Sequence, residues 1–313
     1  PLAERKGAEI RALHLVTDIA PLADQDGAGG WRVSFDRIDA KLHTRTAGAA
    51  TARHLVIAAG SLGSTEILLR ARDRGMGRLS PYLGHGWSSN GDFLTPAVHA
   101  DRDVRPSVGP TIACVIDFLD RSVDGQSFWI QDGGIPDSLG GMLARMDASQ
   151  ADGSISKWFL EGLHGHLRGD EPLKHIMPWF AQSVDAGDGD LRLKRPWWIF
   201  GKKGLDLRWD PAASRPTIDA VVAMHRKLAA ATNGVPLVPP TWTALKYLVT
   251  PHPLGGCNLA STPDEGVVDH RGAVFGYKNL WVCDGAIIPE AIGVNPSRTI
   301  AALAERNAQF IFA

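Results

Sequence analysis

The stretch His54-Leu55-Val56-Ile57-Ala58-Ala59-Gly60 reads as a strand with no polar alternation that stops on glycine. Continuous apolar character marks a strand buried on both faces, as in a parallel sheet. Ser61-Leu62-Gly63-Ser64 follows, and Thr65-Glu66-Ile67-Leu68-Leu69-Arg70 then reads as a helix capped by Ser64 or Ser61. Such a strand–glycine–helix step points a helix N-terminus at whatever lies above the sheet. The end of the chain returns to this grammar. Leu280-Trp281-Val282-Cys283 is a short buried strand, Asp284-Gly285 turns the chain, and Asn295-Pro296 opens a helix running towards Phe312. Within it Ala301, Ala304 and Ala308 form a stripe that would let the helix approach a neighbour closely.

Around this frame the pattern changes. Residues 1–60 alternate as a β-meander: one or two strands over Ala8–Arg11 and Leu13–Ile19, a turn at Asp26–Gly30, and strands at Trp31–Phe35 and Lys41–Thr44. Residues 92–211 carry short strands at 93–99, 111–118, 127–131, 174–183, 190–195 and 205–209, with helical pieces near 138–146 and 153–167. This predicts a mixed antiparallel sheet with helices on one face, a separate α+β layer. Asp185-Ala186-Gly187-Asp188-Gly189-Asp190 lacks the closing glutamate of a calcium loop and reads as a β-turn. Residues 217–230 form an amphipathic helix with Ile218, Val221, Val222 and Leu228 on one face; His225 beside them reads as a packed, hydrogen-bonded histidine. Pro236, Pro239 and Pro240 mark a connection. The expected domains are 1–91, 92–249 and a return at 250–313. Pro1–Arg5 reads as the inside of a helix, so the chain is expected to begin mid-domain.

Composition narrows the classes. At 313 residues the chain can hold two domains, and a formal net charge of −1 gives no basic surface for nucleic acid or an anionic membrane. No apolar run spans a bilayer. The compartment is not readable, and a soluble, cytoplasmic protein is the favoured default. Cys114, Cys257 and Cys283 include no close pair, so neither a disulfide framework nor a metal site is expected. Of ten tryptophans, Trp179, Trp197, Trp198, Trp209 and Trp242 cluster mid-chain, either lining a flat apolar cavity or building an aromatic core.

The chemistry concentrates in His252-Pro253-Leu254-Gly255-Gly256-Cys257 and Gly293-Val294-Asn295-Pro296. A histidine can take or hold the proton of an alcohol near neutral pH. An asparagine at a helix mouth can offer its amide to the substrate oxygen. The helix N-terminus behind it favours negative charge; Pro296 has no N–H, so Ser297 is the first donor. A nucleophilic His252–Cys257 pair is a further reading, with no third orienting group evident.

These stretches resemble the glucose–methanol–choline (GMC) oxidoreductases, and most of all their cholesterol oxidase branch. The resemblance is carried by HPLGGC at 252–257, GYKNLWVCDGAIIPEAIGVNP at 276–296 and TIAALAERN at 299–307. LVIAAGSLGSTEILLRARDRG at 55–75 and GWSSNGD at 86–92 support it. It implies a partial Rossmann-like FAD domain, α/β without its first βαβ unit, joined to a substrate domain on a mixed antiparallel sheet. It implies oxidation of a secondary alcohol on a bulky apolar molecule such as a sterol, with hydride passing to flavin N5. His252 would be the base, Asn295 its partner, and Asp284, Gly285, Asn295, Pro296 and Ser297 would line the flavin. Val16 and Gly60 would meet the nucleotide end. The electron acceptor, oxygen or another, is not implied.

Three departures qualify this. No G-x-G-x-x-G follows a strand, so the chain alone is expected to bind flavin weakly, or to be a cofactor-incompetent fragment or substrate-binding relative. The glutamate used for steroid isomerisation has no matching motif, Glu161 and Glu171 being the nearby candidates. Thr65 follows Ser64 where the family has proline.

Overall fold

The computed structural model describes residues 2–41, 45–136, 173–195, 203–239, 242 and 248–311. In chain order the elements begin with helix α1 (Leu2–Arg5) and strands β1 (His14–Pro21), β2 (Trp31–Ile38), β3 (Arg45–Ala52) and β4 (Leu55–Ile57). Helix α2 (Gly60–Asp73) leads to β5 (His85–Trp87), β6 (Phe93–His99), β7 (Val115–Val123), β8 (Gln126–Asp132), β9 (Ile176–Ser183), β10 (Gly189–Lys194) and β11 (Gly204–Arg208). Helix α3 (Arg215–Ala231), β12 (Gly234–Pro236), β13 (Leu280–Val282), a 3-10 turn (Gly285–Ile287) and α4 (Ser297–Ile311) complete them. The predicted helices at 138–146 and 153–167 lie outside the described residues, as do Glu161, Glu171, Trp197 and Trp198.

Strands β1, β2 and β3 form the expected meander, all antiparallel. Its turn is wider than Asp26–Gly30, because the Asp24 carboxylate already accepts the N–H groups of Gly27 and Gly29. Ala8–Arg11 lies outside the sheet; residues 42–44 of the strand expected at Lys41–Thr44 lie outside the described residues, and the partner of β2 is β3, whose Ala-rich sequence shows no alternation. Trp31 is fully buried beneath the meander, its indole N–H donating to the Lys278 carbonyl at 3.1 Å.

The β4 strand pairs in parallel with β13, joining the two α/β ends of the sequence. The pair is covered on one side, where Ile57, Leu280 and Val282 enter the core with Leu68 and Leu69 of α2. On the other side Val56 of β4 is exposed while Trp281 of β13 is buried, so β13 is the buried strand expected from the sequence and β4 is covered on one face only. The cap of α2 also differs: the helix starts at Gly60, with Ala59 at its cap and no side-chain capping bond. The Ser61 and Ser64 hydroxyls reach instead to Gly255 and Asp284, each donating across the fold.

The second layer is a five-stranded antiparallel sheet, β12-β6-β9-β8-β7. Alternation sends Phe93 and Ala97 of β6, Phe128 and Ile130 of β8, and Trp179 and Ala181 of β9 to one face. There they pack on Ile218, Val221, Val222 and Ala229 of α3, the stripe expected from its helical period. Trp242 stacks edge-on against Phe93, and Trp209 against Trp87, which favours the aromatic-core reading for these tryptophans. The opposite face carries Leu94, Trp129, Gln131 and Phe180. Strands β10 and β11 leave this sheet and join β5. In α4 the buried positions are Asn307 and Ile311, with Leu303 packed on the core. Ala301 and Ala308 face outwards, so their stripe makes no close helix packing among the described residues.

His225 is fully buried between α3 and the sheet, with Nδ1 and the Thr95 hydroxyl 2.9 Å apart. Burial pushes its pKa from 6.5 down to about 3. The folded state therefore refuses a proton that the unfolded chain accepts below pH 6.5. Stability is complete above that pH and falls as pH drops, by about 1.4 kcal/mol per unit from this group. Urea melts between pH 7 and 5 should show a shallower acid loss for His225→Gln than for the unaltered protein.

Candidate active site

The His252 arm is a turn pinned from two sides. Its backbone N–H donates to the Asp92 carboxylate at 3.0 Å, and its ring Nδ1 lies 2.9 and 3.1 Å from the two Asp92 oxygens. Asp92 is fully buried at the start of the β6 strand, and the Thr250 hydroxyl also bonds to it. Two residues on, Leu254 exchanges backbone hydrogen bonds with Ser88, both 3.0 Å. Gly255 has φ +78, and a Cβ there would sit 2.1 Å from the Gly86 carbonyl oxygen, so only glycine lets the turn lie this close. Beyond it, the N–H groups of Gly255, Cys257 and Leu259 bond to the carbonyls of Gly285, Ala286 and Ile287.

The Asn295 arm hangs from the same short segment. Asn90, buried with φ +54, accepts the N–H groups of Ile292 and Gly293 through its side-chain oxygen and donates to the Val294 carbonyl. The Asn295 amide nitrogen then donates to Gln131 Oε1 at 2.8 Å. Gln131 pairs directly across the β8–β9 ladder with Phe180, whose ring centroid is 6.0 Å from that of His252. The two candidate catalytic side chains are thus held over adjacent cross-strand positions on one sheet face.

Beneath both arms lies Asp185, buried in the loop after β9. Its carboxylate accepts the hydroxyls of Ser88 and Ser89 and the N–H groups of Ser89, Gly91 and Gly187. Residues 184–188 make no backbone turn bond, so the expected β-turn is replaced by this anchor built on the Asp185 carboxylate. No group of His, Cys, Asp and Glu among the described residues is arranged to hold a metal ion.

The flavin-lining candidates divide between two places. Asp284 accepts the N–H of Gly60 at 2.9 Å, that of Ala286 at 2.8 Å and the Ser64 hydroxyl. It thereby supplies the negative charge at the α2 N-terminus that neither serine provides. With both oxygens engaged, it reaches a further hydroxyl only through a remaining lone pair. The space beyond Gly60 is open, and a cleft of about 390 Å³ brings Val16 beside Ala59 and Gly63. Gly285 and Pro296 are buried and Ser297 is exposed. The first α4 bond runs from Ile300 N–H to the Pro296 carbonyl, leaving the N–H groups of Ser297 to Thr299 ahead of the helical ladder. This donor set suits the anionic and hydroxyl-bearing groups of a dinucleotide.

Cys257 is fully buried, 3.5 Å from the Thr65 hydroxyl, and burial pushes its thiol up to about 12. A thiol held neutral is a poor nucleophile at pH 7, which removes the His252–Cys257 reading. Sequence reasoning did not single out Asn90, Asp92, Gln131, Phe180 or Asp185 as site residues. GWSSNGD, quoted for its resemblance and assigned no role, held Asn90 and Asp92, and Asp185 was weighed only as part of a β-turn.

Residues 203–304 match the family model described as GMC oxidoreductase. Over those residues the chain is similar to the C-terminal part of the GMC oxidoreductases. It is 31% identical over 320 residues to a cholesterol oxidase of Acinetobacter baumannii, covering 99% of this chain and 56% of that protein. It is 31% identical over 324 residues to a cholesterol oxidase of Mycobacterium tuberculosis, covering 98% and 54%. The chain thus spans about half the length of the curated relatives it matches. A structure on FAD modification in Aspergillus oryzae formate oxidase superposes with a TM-score of 0.59 at 14% identity, over 95% of this chain and 59% of that one. This shows a fold shared with that formate oxidase.

Removing the anchor should be costly. Asp185→Ala leaves two hydroxyls and three N–H groups to find other acceptors, so chemical denaturation should register a loss of about 3 kcal/mol or more. Thiol accessibility gives a second check. Brief iodoacetamide treatment of the native protein should label exposed Cys114 and spare Cys257, read by peptide mass spectrometry.

Proposed function

We propose that this chain supplies the substrate face and alcohol-activating residues of an FAD-dependent oxidoreductase. Its substrate would carry a secondary CH–OH on a bulky apolar body, a sterol being the class favoured. The observation that carries this reading is the placement of His252 over Phe180 and of Asn295 on Gln131, neighbours on one sheet face. Leu94, Trp129 and Phe180 give that face apolar area for a large flat molecule. The cholesterol oxidase relatives point the same way.

In this reading His252 takes the hydroxyl proton at Nε2, the ring nitrogen turned away from Asp92. Asn295 orients the substrate oxygen, its amide steadied by Gln131. FAD, when bound, would supply the two-electron acceptor for the carbinol hydride, with N5 as the proposed position. The open N–H groups of α4 after Pro296 favour negative charge at that end of the ring system. Gly285 lies against Ile300 of α4, Asp284 fastens the α2 turn, Val16 borders the cleft proposed for the nucleotide end, and Gly60 follows Ala59 on its wall. The proposed division is a cofactor part over 1–91 and 250–313 and a substrate part over 92–249. No helix among the described residues is long and apolar enough to cross a membrane.

A second reading, a substrate-binding relative without activity on its own, rests on the lack of a G-x-G-x-x-G after any strand. One experiment separates the two. This chain and the full-length gene product are incubated with FAD, gel-filtered and scanned for flavin absorption, then given cholesterol with and without oxygen. Flavin bands and turnover in the full-length product support the enzyme. His252→Ala should keep the bands and lose about 10²–10⁴-fold in turnover. No flavin in either protein, or unimpaired turnover in His252→Ala, overturns it.

A further inference from the structure

We infer that Asp92 is a positioning residue that fixes the tautomer of His252, holding the ring proton on Nδ1 and leaving Nε2 with a free lone pair. The inference rests on the reading of His252 as the alcohol-facing base. It adds a residue to which neither the family match nor the relatives' names assign a role.

The argument starts from the donors around one carboxylate. Asp92 is fully buried and its two oxygens are not equivalent. Oδ2 faces the His252 backbone N–H at 3.0 Å and the Thr250 hydroxyl. A backbone N–H cannot reverse its polarity, so the group at the Oδ2 position has to be an acceptor. Oδ1 is the nearer oxygen to ring Nδ1, at 2.9 Å, with Oδ2 at 3.1 Å from the same nitrogen. A carboxylate oxygen accepts there too, which requires the ring to donate from Nδ1. A neutral imidazole with its proton on Nδ1 has its lone pair on Nε2, on the far side of the ring from Asp92. The His252 main chain and side chain thus bind the same carboxylate, clamping the ring between its own backbone and Asp92. When Nε2 takes the hydroxyl proton of the substrate, Nδ1 keeps its own. The positive charge then on the ring lies against the buried carboxylate, which compensates it.

The same geometry makes an isosteric substitution informative. In Asp92→Asn the side-chain oxygen is favoured at the Oδ2 position, because an NH₂ there would confront the His252 N–H donor to donor, although Thr250 Oγ1 also accepts that N–H and the Thr250 hydroxyl also donates to the Ser89 carbonyl. The new NH₂ then occupies the Oδ1 position and donates to Nδ1. The ring responds by moving its proton to Nε2, the nitrogen that should receive the substrate's proton. Shape, burial and hydrogen-bond number are preserved while the base is silenced. A merely structural role for Asp92 predicts no such exchange of ring protons.

The test is ¹⁵N NMR of ring-labelled histidine in the full-length gene product, with the His252 signals assigned by their loss in His252→Gln. The shifts separate a protonated ring nitrogen from one carrying a lone pair. Expected is a protonated Nδ1 and a lone-pair Nε2 in the unaltered protein at neutral pH, exchanged in Asp92→Asn. Turnover of cholesterol by Asp92→Asn should fall by about 10²–10⁴-fold with little change in KM. Protonated Nε2 in the unaltered protein overturns the inference and needs no variant to fold. An unchanged ring in Asp92→Asn also overturns it, whatever the turnover. The expected ring states in a protein that does not oxidise alcohols leave the tautomer assignment standing and count against the proposed oxidation.

Discussion

A carboxylate buried among strands is tolerable only when donors saturate it. Asp185 meets that requirement by collecting hydroxyls and N–H groups from Ser88, Ser89 and Gly91 and one N–H from its own loop. The demand of one charge for partners fixes the path of a five-residue segment. From that segment Asn90 reaches the loop before α4 and Asp92 reaches the turn that carries His252. Loosening this anchor would disturb both arms together, although Asp185 is hydrogen-bonded to neither of them.

The five-stranded sheet does two jobs with one alternation. Its inner face packs on α3 and is closed by aromatic and aliphatic side chains. Its outer face keeps glutamines, a tryptophan and Phe180, and the two arms descend on it. The parallel β4–β13 pair, fastened by Asp284 to the start of α2, supports the turn between Gly255 and Leu259 from the other side. Rigidity at the site comes mainly from backbone and buried-carboxylate bonds, which hold a geometry better than exposed ion pairs do.

Much of this was legible from residue order. The β6 strand at 93–99, the stripe on α3 and the start of α4 follow from period and capping chemistry, which act locally. His252 and Asn295 stood out because glycine and proline around them leave a recognisable signature. Asp92 and Asp185 did not, because their partners lie far along the chain and an aspartate in a turn looks the same whether it faces water or a buried ring. The α2 cap was misread for a related reason: the charge at its N-terminus comes from Asp284, more than two hundred residues away. The Ala301–Ala308 stripe was read from spacing alone, whereas the face that α4 buries is decided by Leu303, Asn307 and Ile311.

Because His252 and Asn295 are registered on Phe180 and Gln131, the separation of the two arms is tied to the spacing of β8 and β9, about 4.8 Å in any sheet. Backbone hydrogen bonding, and not side-chain packing, is the ruler. A position further along the outer face, such as Trp129, which pairs with Gln182, lies off that ruler and can change size without shifting it. On the proposed function, a fold built this way separates what is done to a molecule from which molecule is accepted. New specificities can then arise by single substitutions on the sheet while the arms stay in register.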